Sequence, residues 1–287
     1  MDKNDVLIPA RDGLKLGARL YSVPGSAPAG LLIVSGATAV PQGFYRRYAE
    51  AAVGAGFDVL TYDYRGVGRS KPEDLPGFRA RMRDWALLDM AAVVDWARDV
   101  HEARRVVMVG HSVGGQLAGI IDNPDGIDRM MTVSSQSGYW GYQGAEQKYA
   151  VALHVYLTMP LLTRVAGYMP WSWIGAGEDL PKGVAMEWAG WCRDRRYLLG
   201  DDTLPLERFA NFRAPVLAYS IDDDKWGTRR SVDAMMRAYP NVERRHLRPR
   251  AIGVEHLGHM GYFRAGSEAA WTEGFEWLRD DAQAAVA

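Results

Sequence analysis

The chain has 287 residues, 48% of them hydrophobic, which is enough for one large domain with a substantial core. Lys plus Arg number 34 and Asp plus Glu number 35, with no basic run, so the composition argues against a nucleic-acid partner. The single cysteine, Cys192, rules out an internal disulfide framework and fits a reducing compartment.

The N-terminal stretch MDKNDVLIPARDG carries charges where a secretory signal needs an unbroken apolar segment. The most apolar long window, residues 151–177, is interrupted by His154, Pro160, Arg164 and Pro170 before about 20 apolar residues accumulate. We therefore expect a soluble, cytoplasmic protein without a membrane span.

Short β-like runs alternate with helical patterns, which is typical of strand-helix-strand units in a parallel sheet. VLIPARDGLKLGARLYS predicts an opening hairpin that turns at Asp12-Gly13. The pattern then predicts, in chain order, a buried strand at 31–35, a helix at 44–56, a strand at 57–62, a helix whose start Asp84 can cap, the strand RRVVMVG, a helix from Gly114 and a short strand at 130–135.

The alternation stops after Ser137, and the stretch up to Asn211 is rich in Trp, Tyr, Gly and Pro without a strand signal. It returns with a strand at 214–220, a helix from Arg229 to Tyr239, the strand VERRHL and a helix near 267–279. The sequence therefore predicts an α/β core made of residues 1–136 and 212–287, with residues 137–211 inserted as a cap.

The motif GHSVGGQ directly follows an apolar strand and precedes a helical stretch, which is the context of a nucleophile elbow. Gly110 and Gly114 remove side chains that would collide where strand and helix converge. Ser112 is thus a candidate nucleophile, and the N–H of Val113 at a helix N-terminus is a candidate oxyanion donor. The alternative is a glycine-rich turn with an idle serine. We interpret the adjacent His111 as structural.

A serine hydroxyl needs a base that is itself oriented by a carboxylate. Three consecutive acids follow the strand VLAYS, at the strand end where open α/β sheets build their sites. We choose Asp223 as the acid and keep Asp224 in reserve; the alternative is that these acids only solubilise a surface loop. His259, in EHLGHMGYF, is the preferred base because Gly258 permits a loop that reaches the serine.

Two other chemistries are weaker interpretations of the same residues. His256 and His259 have the spacing of two metal ligands, but no third ligand follows in a recognisable pattern. YRGVGRS lacks the GKS or GKT ending of a phosphate-binding loop. We therefore predict neither a metal nor a cofactor.

Several motifs together resemble one family: SGAT after the third strand, DYRGVGRS after the fourth, GHSVGG after the fifth and GHMGYF near the end. They are similar to those of the α/β-hydrolase fold, in the branch of predicted hydrolases related to serine aminopeptidases and monoacylglycerol lipases. The resemblance implies Ser112 as nucleophile, His259 as base, Asp223 as acid, and Ala37 with Val113 as oxyanion donors.

The sequence departs from this family where many relatives have His-Gly after the third strand, because it has Ser35-Gly36, and this makes Thr38 a further candidate donor. We expect Trp140, Trp171 and Trp188 of the cap to cover a pocket for an apolar acyl group.

The resulting hypothesis is a serine hydrolase that cleaves a small-molecule carboxylic ester or thioester through an acyl-enzyme. The alternatives are an acyltransferase with the same triad and a non-catalytic ligand-binding protein on the hydrolase fold. The sequence leaves the oligomeric state open.

Overall fold

A computed structural model describes residues 1–175 and 177–280 of the chain. The strands in this part of the chain are β1 (Asp2–Pro9), β2 (Lys15–Ser22), β3 (Leu31–Ser35), β4 (Asp58–Tyr62), β5 (Val106–His111), β6 (Arg129–Val133), β7 (Tyr168–Met169), β8 (Leu180–Pro181), β9 (Val216–Ile221) and β10 (Val242–Leu247). Eight of them form one sheet in the order β1-β2-β4-β3-β5-β6-β9-β10, while β7 and β8 form a small antiparallel pair.

The α-helices are α1 (Arg46–Gly54), α2 (Met82–Asp84), α3 (Ala91–Asp95), α4 (Val113–Leu117), α5 (Lys148–Leu153), α6 (Met159–Ala166), α7 (Lys182–Arg193), α8 (Arg208–Asn211), α9 (Arg229–Met236) and α10 (Glu268–Arg279). Three π-helical segments, Trp85–Met90, Trp96–Val100 and His154–Thr158, join some of them into longer helices.

In the large sheet, β2 pairs antiparallel with both of its neighbours, β1 and β4. All the other neighbouring strands of this sheet, from β4 through β3, β5, β6 and β9 to β10, pair in parallel. Every residue of β3, β5, β6 and β9 is buried, which explains why these strands read as continuous apolar runs. Alternate side chains of β3 and β5 belong to two hydrophobic clusters: Ile33 and Met108 pack on one face of the sheet, and Val34 and Val109 on the other.

The parallel strands bring three loops to one edge of the sheet. Thr38 follows β3, Ser112 follows β5 and Asp224 follows β9, all at the carboxyl ends of their strands. Because β3 pairs with β5 up to Ser35 and Gly110, the first two loops are direct neighbours. Ligand sites of open α/β sheets lie at this edge.

The predicted α/β class is confirmed, and the strand at 31–35 has the predicted bounds. Two local predictions are wrong. Asp84 does not cap its helix as the preceding residue; it is the third helical residue, and its carboxylate accepts the N–H of Arg81 at 2.7 Å. The inserted segment contains β7 and β8, which at two residues each are too short to produce an alternating pattern.

Residues 137–211 lie between β6 and β9, and the described part of this segment adds no strand to the large sheet. Their buried side chains, including Met159, Trp171 and Tyr197, belong to the same hydrophobic cluster as Val106 of the sheet. The segment therefore shares its core with the rest of the chain, and its designation as a cap stays a prediction.

One helix, Lys148–Ala166, is 19 residues long and apolar enough to cross a membrane by length and composition. Core helices of globular proteins can share these two properties, so a single such helix does not identify a membrane protein. The prediction that the chain has no membrane span stays a prediction.

Candidate active site

Ser112 lies in the tight turn between β5 and α4, with φ 52° and ψ −116°. A residue with a side chain adopts this conformation at a cost of about 1–3 kcal/mol, so the surrounding structure must hold it. Gly110 and Gly114 allow this, because a Cβ on either would collide with backbone atoms, those of Gly115 and of Ser35 respectively. The turn has the strand-turn-helix geometry predicted from the motif.

We expect Gly114→Ala to lower the free energy of unfolding by about 3 kcal/mol, because the added methyl group would lie inside van der Waals contact with the Ser35 carbonyl oxygen. That carbonyl belongs to the buried strand β3 and cannot move away cheaply. Chemical denaturation measures the effect. The matched control is Gly190→Ala in α7, where an added Cβ meets no atom within 4 Å. This control substitution should stabilise the helix by about 0.5–1 kcal/mol. Equal stability of Gly114→Ala and wild type would contradict the close packing.

His259 is held by Asp224, not by Asp223. Its Nδ1 lies 2.8 Å from Asp224 Oδ2, and the other carboxylate oxygen accepts the N–H groups of Trp226 and Gly227 at 2.8 Å. Burial opposes ionisation of Asp224, but the charge and hydrogen bond of His259, helped by the Gly227 N–H, lower its pKa to about 2. The carboxylate is therefore ionised and only accepts, so Nδ1 of His259 carries the hydrogen in this bond.

The prediction of Asp223 as the partner of His259 is wrong by one residue. Asp223 accepts the N–H groups of Leu257 and Gly258, both at 2.9 Å, and forms an ion pair with the exposed His256. It thereby fastens the loop that carries His259. Consecutive side chains diverge in direction, so the neighbouring acids contact different partners.

A cavity of about 890 Å³ brings the candidate residues together, with Ser112, His259, Thr38 and Ala37 in its wall. The apolar part of the wall includes Phe44, Trp171, Trp188, Trp226 and Met260. No hydrogen bond joins Ser112 Oγ to His259, although both side chains face this cavity. In enzymes, a hydrogen bond between a nucleophile and its base is often long or poorly aligned before substrate binds.

Comparison with known proteins decides the fold. A family model described as "alpha/beta hydrolase fold" matches residues 31–156, a stretch that includes β3, the serine turn and the first helix of the inserted segment. This chain has the α/β-hydrolase fold. The predicted fold is thus confirmed, while the predicted branch within it stays a prediction.

Two solved structures have the same α/β-hydrolase architecture over nearly their full lengths. The esterase Pf2001 of Pyrococcus furiosus has a TM-score of 0.61 and 18% identity, covering 97% of this chain and 92% of that one. Est816, described as an N-acyl homoserine lactone degrading enzyme, has a TM-score of 0.59 and 18% identity, covering 96% and 99%. At these identities the likeness concerns the fold alone.

A curated sequence relative, a ribose-phosphate pyrophosphokinase of Synechocystis sp., is 31% identical over 109 residues. The match covers 38% of this chain and 29% of that protein, so the chain spans under a third of the relative's length. Its activity is not transferred to this chain.

The α/β-hydrolase site contains a hydrogen-bond chain that links two of its loops. The Ala37 N–H donates to the Tyr45 hydroxyl at 2.8 Å, and that hydroxyl lies 2.8 Å from His111 Nδ1. His111 Nε2 contacts the carbonyl oxygen of His259 at 2.9 Å and must donate to it. Burial, reinforced by the nearby His259, lowers the pKa of His111 to about 3, so the ring is neutral and its Nδ1 accepts from Tyr45. Both ring nitrogens of the buried His111 are thus occupied by hydrogen bonds, which fits the structural role predicted for it.

This chain of bonds corrects the assignment of Ala37 as an oxyanion donor. The Ala37 N–H already has an acceptor, Tyr45, in a buried environment. In the described part of the chain, the N–H of the next residue, Thr38, has no backbone or side-chain acceptor, and Thr38 faces the cavity beside Ser112. Val113 is the first residue of α4, where an N–H has no acceptor within the helix. The available donors are therefore Thr38 and Val113.

The cavity also corrects one of the three predicted substrate contacts. Trp171 and Trp188 line it, but Trp140 lies in a separate groove with Tyr149 and Arg195. Sequence reasoning missed several lining residues, among them Phe44, Trp226 and Met260. Met260 directly follows His259, and Trp226 lies two residues after Asp224; this proximity to chemically chosen residues is a signal that could have found them.

Proposed function

We propose that the protein is a serine hydrolase that cleaves a carboxylic ester or thioester with an apolar acyl portion through an acyl-enzyme. One observation carries the proposal: a serine on a strained turn shares a cavity with a histidine that is hydrogen-bonded to a buried, ionised aspartate. The α/β-hydrolase fold and the similarity to an esterase structure support hydrolase activity in general.

In the proposed first step, Ser112 Oγ attacks the substrate carbonyl carbon while His259 takes the hydroxyl proton. Because Nδ1 of His259 carries a hydrogen towards Asp224, its Nε2 is the free base. The carbonyl π electrons move onto oxygen, and the N–H groups of Thr38 and Val113 stabilise this oxyanion. Asp224 stays ionised and stabilises the imidazolium that forms.

In the second step the tetrahedral intermediate collapses. The bond from the acyl carbon to the alcohol oxygen or thiol sulfur breaks, and His259 returns its proton to that leaving group. Water, deprotonated by the same histidine, then attacks the acyl-Ser112 ester and releases a carboxylic acid and the free serine. No group outside this chain and water is needed.

The residues of the cavity wall support the proposal that the protein recognises the acyl portion of its substrate and that this portion is apolar. Trp171, Trp188 and Trp226 supply large apolar surfaces, and a charged acyl chain packed against these rings would lose hydration. We expect kcat/KM for p-nitrophenyl esters of apolar acids to exceed that for an ester of a dicarboxylic acid by at least about tenfold. A panel graded by acyl length and charge measures this, and a preference for the charged esters would contradict it.

A fluorophosphonate probe tests the proposal itself. The probe should add covalently, with loss of fluoride, to the native protein, and peptide mapping by mass spectrometry should place the adduct on Ser112. A native protein that takes up no probe and retains ligands without turnover would instead be a non-catalytic binding protein. Product analysis with an added alcohol acceptor separates hydrolysis from acyl transfer.

A further inference from the structure

The helix Lys148–Ala166 exposes an apolar face that the proposed chemistry does not use. Only 22% of its most apolar window is buried. The following side chains are each more than half exposed: Tyr149, Leu153, Tyr156, Leu157, Leu161 and Val165. We call these six residues the cap stripe. Exposed apolar residues that occur singly need no explanation, but a contiguous set on one helix marks an interaction surface.

The helix has an exposed row and a buried row of side chains. Exposed residues recur every fourth position from Tyr149 to Val165, and buried residues recur at the same interval from Val151 to Thr163. The rows are two residues out of step, which places them on opposite sides of the helix. The buried row packs into the core, and Val151 and Val155 line a small pocket beside Ser112. The helix therefore lies on the protein, with only the cap stripe free for a partner.

Positive charges surround the cap stripe. The helix contains Lys148 and Arg164 and no acidic residue. Lys148 lies over the Tyr149 ring at 4.8 Å, and Arg193 over the Tyr156 ring at 5.3 Å. Exposed Tyr and Leu side chains accompanied by Lys and Arg are the composition of a helix that lies in a membrane interface.

The groove that adjoins the helix N-terminus continues the positive charge. It has a volume of about 340 Å³ and contains Lys148, Arg195 and Arg230 beside Tyr149, with no carboxylate in its wall. Among residues 1–175 and 177–280, none of these three cations forms an ion pair. Unpaired cations beside an apolar stripe fit a surface that offers anionic groups and apolar chains together.

We propose that the cap stripe and its adjoining basic groove bind the surface of a membrane that contains anionic lipids. A second copy of the chain fits less well, because a twofold interface would bring the three unpaired cations of the groove close to their own counterparts, and no carboxylate lines that groove. Because the opposite row of the same helix lines the pocket beside Ser112, the bound protein would receive lipophilic esters from the lipid phase. This last point rests on the proposed function, whereas membrane binding does not.

Sedimentation with vesicles tests the proposal. The full-length protein should bind vesicles of phosphatidylcholine with about one third phosphatidylglycerol, and binding should weaken without the anionic lipid or at high salt. The double variant Leu157→Glu/Leu161→Glu should bind at least about tenfold more weakly, since it places two charges in the contact face. Leu7→Glu on β1, where the native leucine is 65% exposed, is the matched control and should bind as wild type does.

The outcomes separate this proposal from the proposed function. Ser112→Ala should keep vesicle binding while losing turnover, and the double variant should keep turnover of a short water-soluble ester, which also shows that it is folded. Native protein that stays in the supernatant with both vesicle types would overturn the proposal. So would a concentration-dependent dimer, seen by light scattering, that the double variant abolishes.

Discussion

Ser112→Ala should lower kcat for a short p-nitrophenyl ester by about five to six powers of ten, the loss seen when a triad serine is removed. The hydroxyl supplies the atom that bonds to the acyl carbon, so the alanine variant cannot form the acyl-enzyme at this position. Cys192 lies in the neighbouring small pocket, but burial raises the pKa of its thiol, so it is not a thiolate. Steady-state rates and loss of fluorophosphonate labelling measure the effect.

The alanine variant should remain folded, because the strained turn at Ser112 requires small residues around it and not the hydroxyl itself. Thermal unfolding checks this point. Ser26→Ala, in an exposed loop, is the control for serine removal and should match wild type in both assays. Turnover by Ser112→Ala above about a hundredth of the wild-type rate would place the nucleophile elsewhere.

Asp224→Asn should lower kcat at neutral pH by about three to four powers of ten, as in other triads whose acid becomes an amide. The geometry gives the reason. Oδ1 of Asp224 accepts two N–H groups, from Trp226 and Gly227, so the amide oxygen of an asparagine must take that position. The amide NH₂ then faces His259 Nδ1 and donates to it. The ring must carry its own hydrogen on Nε2, where the base needs a free electron pair.

The neighbouring acids are the matched controls for this effect. Asp223→Asn should lower kcat by roughly tenfold, because Leu257 and Gly258 donate to different carboxylate oxygens and an asparagine replaces one of these acceptors by an NH₂ donor, which loosens the loop of His259. Asp222→Asn should stay within about tenfold of wild type, because the Asp222 carboxylate is exposed and pairs with His246, away from His259. A crippled Asp223→Asn beside an active Asp224→Asn would return the assignment to Asp223.

Several features of the fold and site follow from local patterns. The buried strands read as apolar runs because both faces of the sheet are covered, so β3, β5 and β9 were predicted close to their observed bounds. The turn around Ser112 was predictable because strand, glycine spacing and helix all lie within a dozen residues. His259 is predictable as a candidate base because it follows a glycine in the last long loop before α10.

The sequence by itself therefore determined the α/β fold and the serine on its tight turn, and it selected His259 as the candidate base. Only the tertiary structure decided that Asp224 contacts His259, that the Ala37 N–H is taken by Tyr45, and that Trp140 lies outside the cavity. The features that the sequence determined depend on hydrophobic periodicity and on the backbone freedom of glycine, and both can be read from residues that are neighbours in the chain. The features that the tertiary structure decided depend on side-chain direction and on contacts between loops far apart in the chain, and a shift of one residue redirects a side chain without changing the pattern around it.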